Sequence, residues 1–307
     1  MWLVRTCAAA GDDVVALSRG GLVPDGCGEG LPVDLRDPEA VRSAIRDVGP
    51  DVVYHLAALS SVGRSWEDPA RTVQDNVTSA VNLLEALRLE TSRARVVWVS
   101  TCEVYGAPAS LPVSEAAPLQ PVNPYAVSKT TGDLLAAVYA DAYDLDIVRV
   151  RPFSHAGPGQ LPIFILSSLA RQAAEGRIAG AEKIQIVTGN PDTRRDYTDV
   201  RDVVRAYRLA AEHASSDVYN VSSGRSISAA GLVSLLGELM APTVVEHIVD
   251  PARVRAREVM DLRGAHDRLT AATGWEPQIS FRQTVADTIA WWERELTSAR
   301  PSEAVER

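Results

Sequence analysis

The stretch Arg95-Val-Val-Trp-Val-Ser-Thr-Cys-Glu-Val-Tyr-Gly106 opens with a short apolar run and continues with polar residues. An apolar run of this length is typical of a strand that is buried on both faces. Similar runs occur at Val14–Leu17, Asp51–Leu56 and Asp146–Arg151. Amphipathic segments such as Thr78–Leu89 lie between them. This alternation predicts an α/β fold with a Rossmann-like, doubly wound parallel sheet that helices cover on both faces.

The alternation becomes less regular after about residue 152. Ile163–Glu175 and Thr284–Leu296 predict helices, and Ile184–Val187 predicts a short strand. We therefore predict three parts, which are a main α/β domain over residues 1–152, a smaller lobe over 153–296 that partly returns to the main sheet, and a polar tail over 297–307. Ligands of open α/β sheets bind beyond the carboxyl ends of the strands, so the site is expected in the cleft between the two larger parts.

The composition excludes several classes of protein. The 307 residues carry a net charge of −9, which argues against a nucleic-acid partner, because duplex binding needs a basic surface. No apolar stretch is long enough to cross a membrane. Cys7, Cys27 and Cys102 have no paired spacing and the five histidines are scattered, which predicts neither a disulfide framework nor a metal site. This cysteine usage favours the cytoplasm.

The start of the chain departs from the expected pattern. A dinucleotide-binding sheet opens with a strand and a glycine-rich turn before its first helix, but residues 1–10 already predict a helix that ends at Gly11. The glycines between 20 and 30 follow the next strand and predict a flexible loop. We therefore expect the first strand and its turn to be missing from the chain as written. Either the start codon was assigned too late, which the downstream motifs favour, or the chain is a remnant that binds its cofactor poorly.

A tyrosine and a lysine stand four residues apart in Asn123-Pro-Tyr-Ala-Val-Ser-Lys129. Pro124 favours the start of a helix, and residues four apart share one helix face. A nearby ammonium lowers the pKa of a phenol, so we expect Lys129 to lower the pKa of Tyr125. Such a phenol suits proton exchange with a carbonyl or alcohol substrate. By itself the spacing is also typical of a surface helix.

A second polar segment follows the strand that ends at Ser100. Thr101 is placed at the carboxyl end of a parallel strand, where its hydroxyl can polarise a substrate oxygen. Glu103 adds a carboxylate close by, and Gly106 ends the segment. A plain turn would have the same composition, but the combination with Tyr125 favours a catalytic site.

Eight short motifs occur in the order that is typical of one known family. They are Asp34-Leu-Arg-Asp37, His55-Leu-Ala-Ala58, Asn76, Ser100–Gly106, Tyr125-x-x-x-Lys129, Arg151-Pro-Phe153, Arg195-Asp196 and Gly274-Trp275. With them the chain resembles the extended short-chain dehydrogenase/reductases that act on nucleotide sugars, from residue 1 to about residue 296. Within this family, Arg151–Gln160, Arg194–Asp202 and Asp250–Arg255 resemble the GDP-4-dehydro-6-deoxy-D-mannose reductases.

The resemblance implies a role for individual residues. Tyr125 would donate a proton, Lys129 would hold the nicotinamide ribose, Thr101 would bind the sugar oxygen, and Glu103 would be a further catalytic group. The implied cofactor-binding residues are Arg19, Asp34, Leu35, Leu56, Ala57, Ala58, Tyr125, Lys129, Phe153 and His155. The implied substrate-binding residues are Ser61, Thr101, Glu103, Ser154, Arg195 and Arg255. The two arginines suit a nucleotide diphosphate because a guanidinium makes bidentate, charge-assisted bonds; surface ion pairs are the alternative for each.

The implied reaction is the NAD(P)H-dependent reduction of a 4-keto-6-deoxy nucleotide sugar, of the type that converts GDP-4-dehydro-6-deoxy-D-mannose to GDP-D-rhamnose. Dehydratases of the family carry Thr-Asp-Glu or Thr-Ser-Glu where this chain has Thr101-Cys-Glu103. A thiol is a weaker acid than a carboxyl, which favours the reductase, while Glu103 leaves a 4,6-dehydratase or an epimerase open. Ser154 replaces the family's asparagine and cannot make the same hydrogen bonds, so the sugar itself stays open.

Cofactor and partners follow from the same segments. Arg19 comes just after the second strand, where an arginine can bind the 2′-phosphate of NADP and an acidic residue the ribose of NAD. We therefore expect NADP(H), with NAD(H) as the alternative. The resemblance also implies a homodimer through a four-helix bundle, with Thr78–Leu89 and Ala126–Tyr139 as the helices. A catalytically silent protein that binds a dinucleotide or a nucleotide sugar is the alternative of another class, which the absent glycine turn favours and the intact catalytic residues oppose.

Overall fold

The computed structural model of the chain describes residues 1–90, 93–254 and 258–298. The helices of these ranges are α1 (Trp2–Ala9), α2 (Pro38–Val48), α3 (Val62–Glu67), α4 (Pro69–Glu90), α5 (Pro124–Tyr143), α6 (Ile165–Ile178), α7 (Val200–His213), α8 (Ala229–Met240), α9 (Asp267–Thr273) and α10 (Phe281–Ser298). The strands are β1 (Val15–Ser18), β2 (Glu29–Pro32), β3 (Val52–His55), β4 (Arg95–Val99), β5 (Ile147–Pro152), β6 (Ser154–Ala156), β7 (Lys183–Thr188), β8 (Arg194–Asp199), β9 (Val218–Val221), β10 (Ser226–Ser228), β11 (Val244–Val249) and β12 (Asp261–Leu262). The strands and helices that the sequence predicts are present, with ends that differ by a few residues; α4 extends nine residues upstream of the predicted Thr78.

The main sheet is parallel and has the strand order β3-β4-β5-β9. Because successive side chains of a strand point to opposite faces, β4 contributes to two cores. Val96 and Trp98 pack with α2, α4 and α5, whereas Val97 and Val99 pack with α1, α7 and α9. The central strands are buried on both faces, as the continuous apolar runs predict. The predicted Rossmann-like, doubly wound α/β fold is confirmed.

A second parallel pair, β1 and β2, forms its own two-stranded sheet in the described part of the chain. The predicted loop over the glycines is present from Gly20 to Gly28, but Gly30 lies inside β2, where the prediction is wrong. A Cβ atom on Gly30 would lie 1.9 Å from the Gly21 carbonyl oxygen, and one on Gly28 would lie 2.1 Å from that of Val14. Glycine is therefore used where two backbones approach closely, and a side chain would prevent the pairing.

The second half of the chain adds a separate core. Strands β7 and β11 form a parallel pair, and β8 pairs with β6, β10 and β12. Helices α6, α8 and α10 pack together around buried residues such as Leu169 and Leu236. Trp275 is fully buried, and its indole Nε1 donates to the Asp202 carbonyl at 2.9 Å. Through this hydrogen bond Trp275 connects the segment before α10 with α7, the helix that covers the main sheet.

None of the helices in the described residues is both long enough and apolar enough for a bilayer crossing. No group of three or more His, Cys, Asp or Glu side chains in those residues could hold a metal ion. The three cysteines are free thiols.

Candidate active site

Helix α5 positions Tyr125 and Lys129. Asn123 caps the helix, since its Oδ1 accepts from the Ala126 amide at 2.8 Å, and Pro124 occupies the first turn. The predicted helix start is confirmed. Both side chains lie on the buried face, with residue exposures of 9% for Tyr125 and 7% for Lys129. This face packs against the end of β4.

The segment after β4 brings Thr101 to the same place. Thr101 is buried, and its hydroxyl caps a short 3₁₀ turn (Cys102–Tyr105) by accepting from the Glu103 amide at 3.3 Å. The Thr101 hydroxyl also hydrogen-bonds the phenol of Tyr125. The predicted meeting of the strand end and the helix therefore occurs in the structure.

The pKa of Tyr125 differs from the expectation. Burial raises it well above its ordinary value, and the hydrogen bond from Thr101 opposes the rise only in part. The predicted net lowering of the Tyr125 pKa is wrong, because burial outweighs the stabilising neighbours; the Lys129 Nζ donates to the Val99 carbonyl at 2.5 Å. Desolvation penalises the charged phenolate more than these neighbours stabilise it. Tyr125 therefore holds its proton at neutral pH.

Lys129 is a charged side chain that is buried from solvent. Burial lowers its pKa to about 8, and the charge of Asp133 opposes this decrease. The side chain thus stays an ammonium at neutral pH. Beneath it lies His55 at the end of β3, where burial and the Lys129 charge lower the pKa of the imidazole to about 3. The site therefore combines a neutral phenol, a neutral imidazole and one cation.

Glu103 is held by a residue that the sequence motifs did not single out. The Asn123 Nδ2 donates to Glu103 Oε2 at 3.0 Å. The Asn-Pro pair before a helical pattern predicts a cap, but no local signal indicates the partner of the remaining amide group. Asn123 thereby joins the start of α5 to the segment after β4.

The residues after β3 form an apolar ledge beside the site. Leu56 is 46% exposed, Ala57 is also exposed, and Ala58 is half-buried. Asn76 of α4 supports this ledge, because its Oδ1 accepts from the Leu59 amide at 2.7 Å and its Nδ2 donates to Ser128 Oγ at 2.9 Å. The Asn76 motif thus has a structural function, which is to tie the ledge to α5.

A charged cluster follows the pair β1 and β2. Arg36 makes a bidentate pair with Asp34, with Nε to Oδ1 at 3.0 Å and Nη2 to Oδ2 at 2.6 Å. This interaction lowers the pKa of the Asp34 carboxyl to about 2, and Arg19 adds a smaller effect. Leu35, which stands between Asp34 and Arg36 in the sequence, is half-buried. Its carbonyl oxygen accepts a hydrogen bond from Asn82 Nδ2. Arg36 was not predicted as a site residue, although it lies inside the Asp34–Asp37 motif.

The residues after β5 differ in their exposure to solvent. Phe153 is buried in an apolar cluster with Cys102 and Val104, and the tight fit of Gly264 against its ring leaves no room for a side chain there. Ser154 and His155 lie on β6, with Ser154 half-buried and His155 exposed. The ring of Phe153 is therefore a core element, and only its backbone is available for a ligand.

The remaining predicted residues lie around the site. Ser61 caps α3, accepting from the Arg64 amide at 3.3 Å. Arg195 on β8 donates to the Val259 carbonyl at 2.8 Å, and its charge acts on the buried Cys102 thiol. The arginine therefore faces the segment that carries Thr101. Arg255 lies outside the described residues.

The chain is similar to known proteins in sequence. The sequence model of the GDP-mannose 4,6 dehydratase family matches residues 30–288. The chain belongs to this family. It is 37% identical to the GDP-6-deoxy-D-mannose reductase of Pseudomonas aeruginosa, over 86% of this chain and 88% of the relative. Members of the GDP-mannose 4,6 dehydratase family and their structural relatives are NAD(P)-dependent enzymes of nucleotide sugars, and the chain is one of them.

Solved structures with bound cofactors are similar over almost the whole chain. The structure of RMD from Pseudomonas aeruginosa complexed with NADPH superimposes with a TM-score of 0.81 at 33% identity, over 95% of this chain and 94% of the other. The UDP-glucose 4-epimerase of Thermus thermophilus in complex with NAD gives a TM-score of 0.83 at 28% identity, over 95% and 94%. A similar fold therefore occurs in proteins that are known with NADPH and in others that are known with NAD.

Proposed function

We propose that the chain is an NADP(H)-dependent reductase of a 4-keto-6-deoxy nucleotide sugar, of the type that forms GDP-D-rhamnose from GDP-4-dehydro-6-deoxy-D-mannose. One observation carries this proposal. The Tyr125 phenol is buried beside the Thr101 hydroxyl with a pKa that keeps it protonated. A protonated phenol at this position is the acid that reduction of a carbonyl requires. The likeness to the reductase of Pseudomonas aeruginosa supports the substrate class.

The side chains act on one carbonyl oxygen. When it is bound, NADPH supplies the hydride that attacks the carbonyl carbon. The Thr101 hydroxyl donates to the oxygen and polarises the bond. As negative charge develops there, Tyr125 transfers its proton, so the carbonyl becomes an alcohol. The Lys129 ammonium then stabilises the phenolate that remains.

The described residues fit such a cofactor. The exposed ledge of Leu56 and Ala57 at the carboxyl end of β3 suits a flat ring that covers it. Arg19 and Arg36 offer two guanidinium groups beside Asp34, which suits an adenosine 2′-phosphate. We assign the backbone near Phe153 and His155 to the nicotinamide side. NAD(H) is the alternative, since similar proteins are known with either cofactor.

We assign the substrate to the side of the cleft formed by the second half of the chain. Arg195 faces the Thr101 segment and would bind the nucleotide diphosphate. Ser61 and Ser154 would contact the sugar or the nucleotide through their hydroxyls, and Arg255 keeps its proposed contact with the diphosphate. We keep a dinucleotide-binding part over residues 1–152 and a substrate lobe over 153–296 as the proposed division, with Ser61 contributed to the substrate by the first part and Phe153 and His155 contributed to the cofactor by the second.

A homodimer through α4 and α5 is part of the proposal. Val127, Leu134 and Val138 project from one side of α5 and are 42%, 51% and 59% exposed, and Leu89 of α4 is 48% exposed. Exposed apolar side chains that line one side of a helix pair favour packing against another pair. Two copies would bury them in a four-helix bundle.

One observation favours a second reaction, the 4,6-dehydration. Glu103 is a carboxylate that Asn123 holds near Tyr125, where it suits the additional acid–base step of a dehydration. Cys102 argues against dehydration, because its thiol is buried in an apolar cluster and burial raises its pKa far above the ordinary value. It cannot replace the acidic residue of the dehydratases.

The test is incubation with NADPH and GDP-4-keto-6-deoxymannose, and separately with GDP-mannose, followed by mass spectrometry. Reduction adds two hydrogens to the first substrate and oxidises NADPH. Loss of water from the second would establish dehydration instead. Binding of both ligands without turnover would support the silent binding protein. The variant Tyr125→Phe is the control, and we expect its rate to fall by about 10²–10⁴-fold.

A further inference from the structure

A third buried ionisable residue follows Tyr125 and Lys129 on α5. Asp133 stands one helical turn beyond Lys129 and two turns beyond Tyr125, so the three share one face. It is fully buried. No motif of the sequence included it. No ion pair between described residues involves Lys129 at salt-bridge distance, so Asp133 can act on Lys129 only through space.

Strand β5 clamps the Asp133 carboxylate. Arg149 Nη1 donates to Oδ1 at 2.8 Å, while Arg151 donates from Nε to Oδ2 at 2.9 Å and from Nη2 to Oδ1 at 3.1 Å. Burial alone would raise the pKa of Asp133, but the hydrogen bonds and charge of Arg151 hold it below the ordinary value. The carboxylate is therefore ionised and fixed in direction.

The same cluster reaches the segment that carries Thr101. Arg151 Nη1 also donates to the Tyr105 hydroxyl at 3.0 Å, and that hydroxyl donates to Asn220 Oδ1 at 2.7 Å. Tyr105 belongs to the 3₁₀ turn that follows Thr101. The Arg151-Pro-Phe motif thus connects α5 with this turn through buried hydrogen bonds.

A buried ammonium needs a counter-charge. Burial disfavours the charged form of lysine, and the Val99 carbonyl that accepts from Lys129 carries only a dipole. The titratable groups around Lys129 include the neutral His55 of β3, which the Lys129 charge affects, and Tyr125 and Asp133 on the same face of its own helix. Of these, Asp133 is the group whose charge opposes the effect of burial on Lys129.

We propose that Asp133 is a positioning residue for the reaction: its carboxylate, clamped by Arg149 and Arg151, is the counter-charge that keeps the Lys129 ammonium charged and in place. This rests on the proposed function in one respect, since Lys129 must be charged to stabilise the Tyr125 phenolate. Without Asp133 the ammonium would lose its proton near neutral pH, and the phenolate would lose its stabilising cation.

The chain permits a direct test because it contains two lysines, Lys129 and Lys183. Protein with isotope-labelled lysine therefore gives two side-chain NMR signals. Lys183 has 55% of its side chain exposed and pairs with Glu246 in the other half of the molecule, so it serves as an internal reference. The titration of Lys129 can be followed without turnover or a known substrate.

The experiment compares the unchanged protein with Asp133→Asn and with a charge-balanced double variant, Asp133→Asn with Arg149→Gln. In Asp133→Asn alone, Arg149 and Arg151 would surround a neutral amide, and this is the main risk to folding. The double variant removes one of these two charges. We expect Lys129 to titrate near pH 8 in the unchanged protein and about one pH unit or more lower in either variant, with the same Lys183 curve in all. The descending limb of the kcat pH profile should move with Lys129.

Two results would overturn the proposal. The first is an unchanged Lys129 midpoint in either folded variant, which would make the cluster purely structural. The second needs no variant: a midpoint below pH 7 in the unchanged protein would show that Lys129 is not kept charged. If the protein turns over no nucleotide sugar but Lys129 still shifts, the proposed function fails and the role of Asp133 as counter-charge stands.

Discussion

Asn123 holds Glu103 with the amide group that its helix cap leaves free: Nδ2 donates to Glu103 Oε2 at 3.0 Å, while Oδ1 accepts from the Ala126 amide at 2.8 Å. The cap fixes which end of the amide faces which partner, because only an oxygen can accept from a backbone N–H. The carboxylate of Glu103 is therefore oriented by the same residue that starts the helix of Tyr125.

This double contact can be separated by mutation. Serine caps helices about as well as asparagine, but its shorter side chain cannot also reach Glu103. We expect Asn123→Ser to keep the thermal stability and to lower kcat several-fold, with the KM for NADPH unchanged. Asn123→Ala should lose about 1 kcal/mol of stability in addition. An Asn123→Ser protein with normal kcat and product would mean that the orientation of Glu103 is irrelevant to turnover.

The cluster of Arg19 and Arg36 predicts the cofactor preference. Each guanidinium can make charge-assisted hydrogen bonds to a 2′-phosphate, which contribute about 1.5–3 kcal/mol each. We expect Arg19→Ala and Arg36→Ala to weaken NADPH binding about tenfold or more, and NADH binding much less, in a fluorescence titration. Arg282→Ala, an exposed arginine paired with Glu238, is the matched control. Equal losses for both cofactors would exclude recognition of the phosphate by these arginines.

The sequence predicts those parts of the site that depend on order along the chain. Thr101 and Tyr125 meet because a strand end and the start of the following helix lie at the same edge of a parallel sheet. The helix start at Pro124 and the buried strand β4 likewise follow from local residue types. The family resemblance rests on such local motifs, which explains why the fold and the reaction class were predicted together.

Features that depend on depth or on distant partners were not predictable. The spacing of Tyr125 and Lys129 says nothing about burial, which dominates the pKa of both groups. The partners of Asn123 and Asp133 lie 20 and 16–18 residues away, beyond any helical or strand period. Strand β2 was missed because glycine and proline disfavour strands, yet its pairing with β1 needs glycine for close approach.

The apolar side of α5 predicts how two copies associate. An aspartate in place of Leu134 would be buried in the interface. The free energy needed to desolvate its charge exceeds the free energy of association that the leucine contributes there. We expect Leu134→Asp to shift a dimer to a monomer in analytical ultracentrifugation, with an unchanged far-ultraviolet circular dichroism spectrum. Leu22→Asp changes a leucine that is 85% exposed outside α4 and α5 and should leave the dimer intact. A dimer that survives Leu134→Asp together with Val138→Asp would place the interface elsewhere.

His55 predicts how the stability of the fold responds to acid. Its folded-state pKa is lowered to about 3 by burial and by the Lys129 charge, from 6.5 in the unfolded chain. Between these values the unfolded state binds the extra proton, so the free energy of unfolding falls as pH decreases through 6.5. The slope approaches about 1.4 kcal/mol per pH unit for one proton. Above pH 6.5 this contribution is complete.

Urea unfolding at pH 7.5, 6.5 and 5.5 measures this slope, and the window stays above most carboxyl titrations. His55→Asn should flatten the pH dependence of the free energy of unfolding. The variant also loses the packing of the His55 ring on Trp98, whose ring centroids are 4.3 Å apart, but this loss lowers the stability equally at every pH. His213→Asn, at an exposed position, should leave the slope as it is. If the slope in His55→Asn equals that of the unchanged protein, the imidazole beneath Lys129 does not take up the proton, and it is not the neutral element on which the charge balance of the site depends.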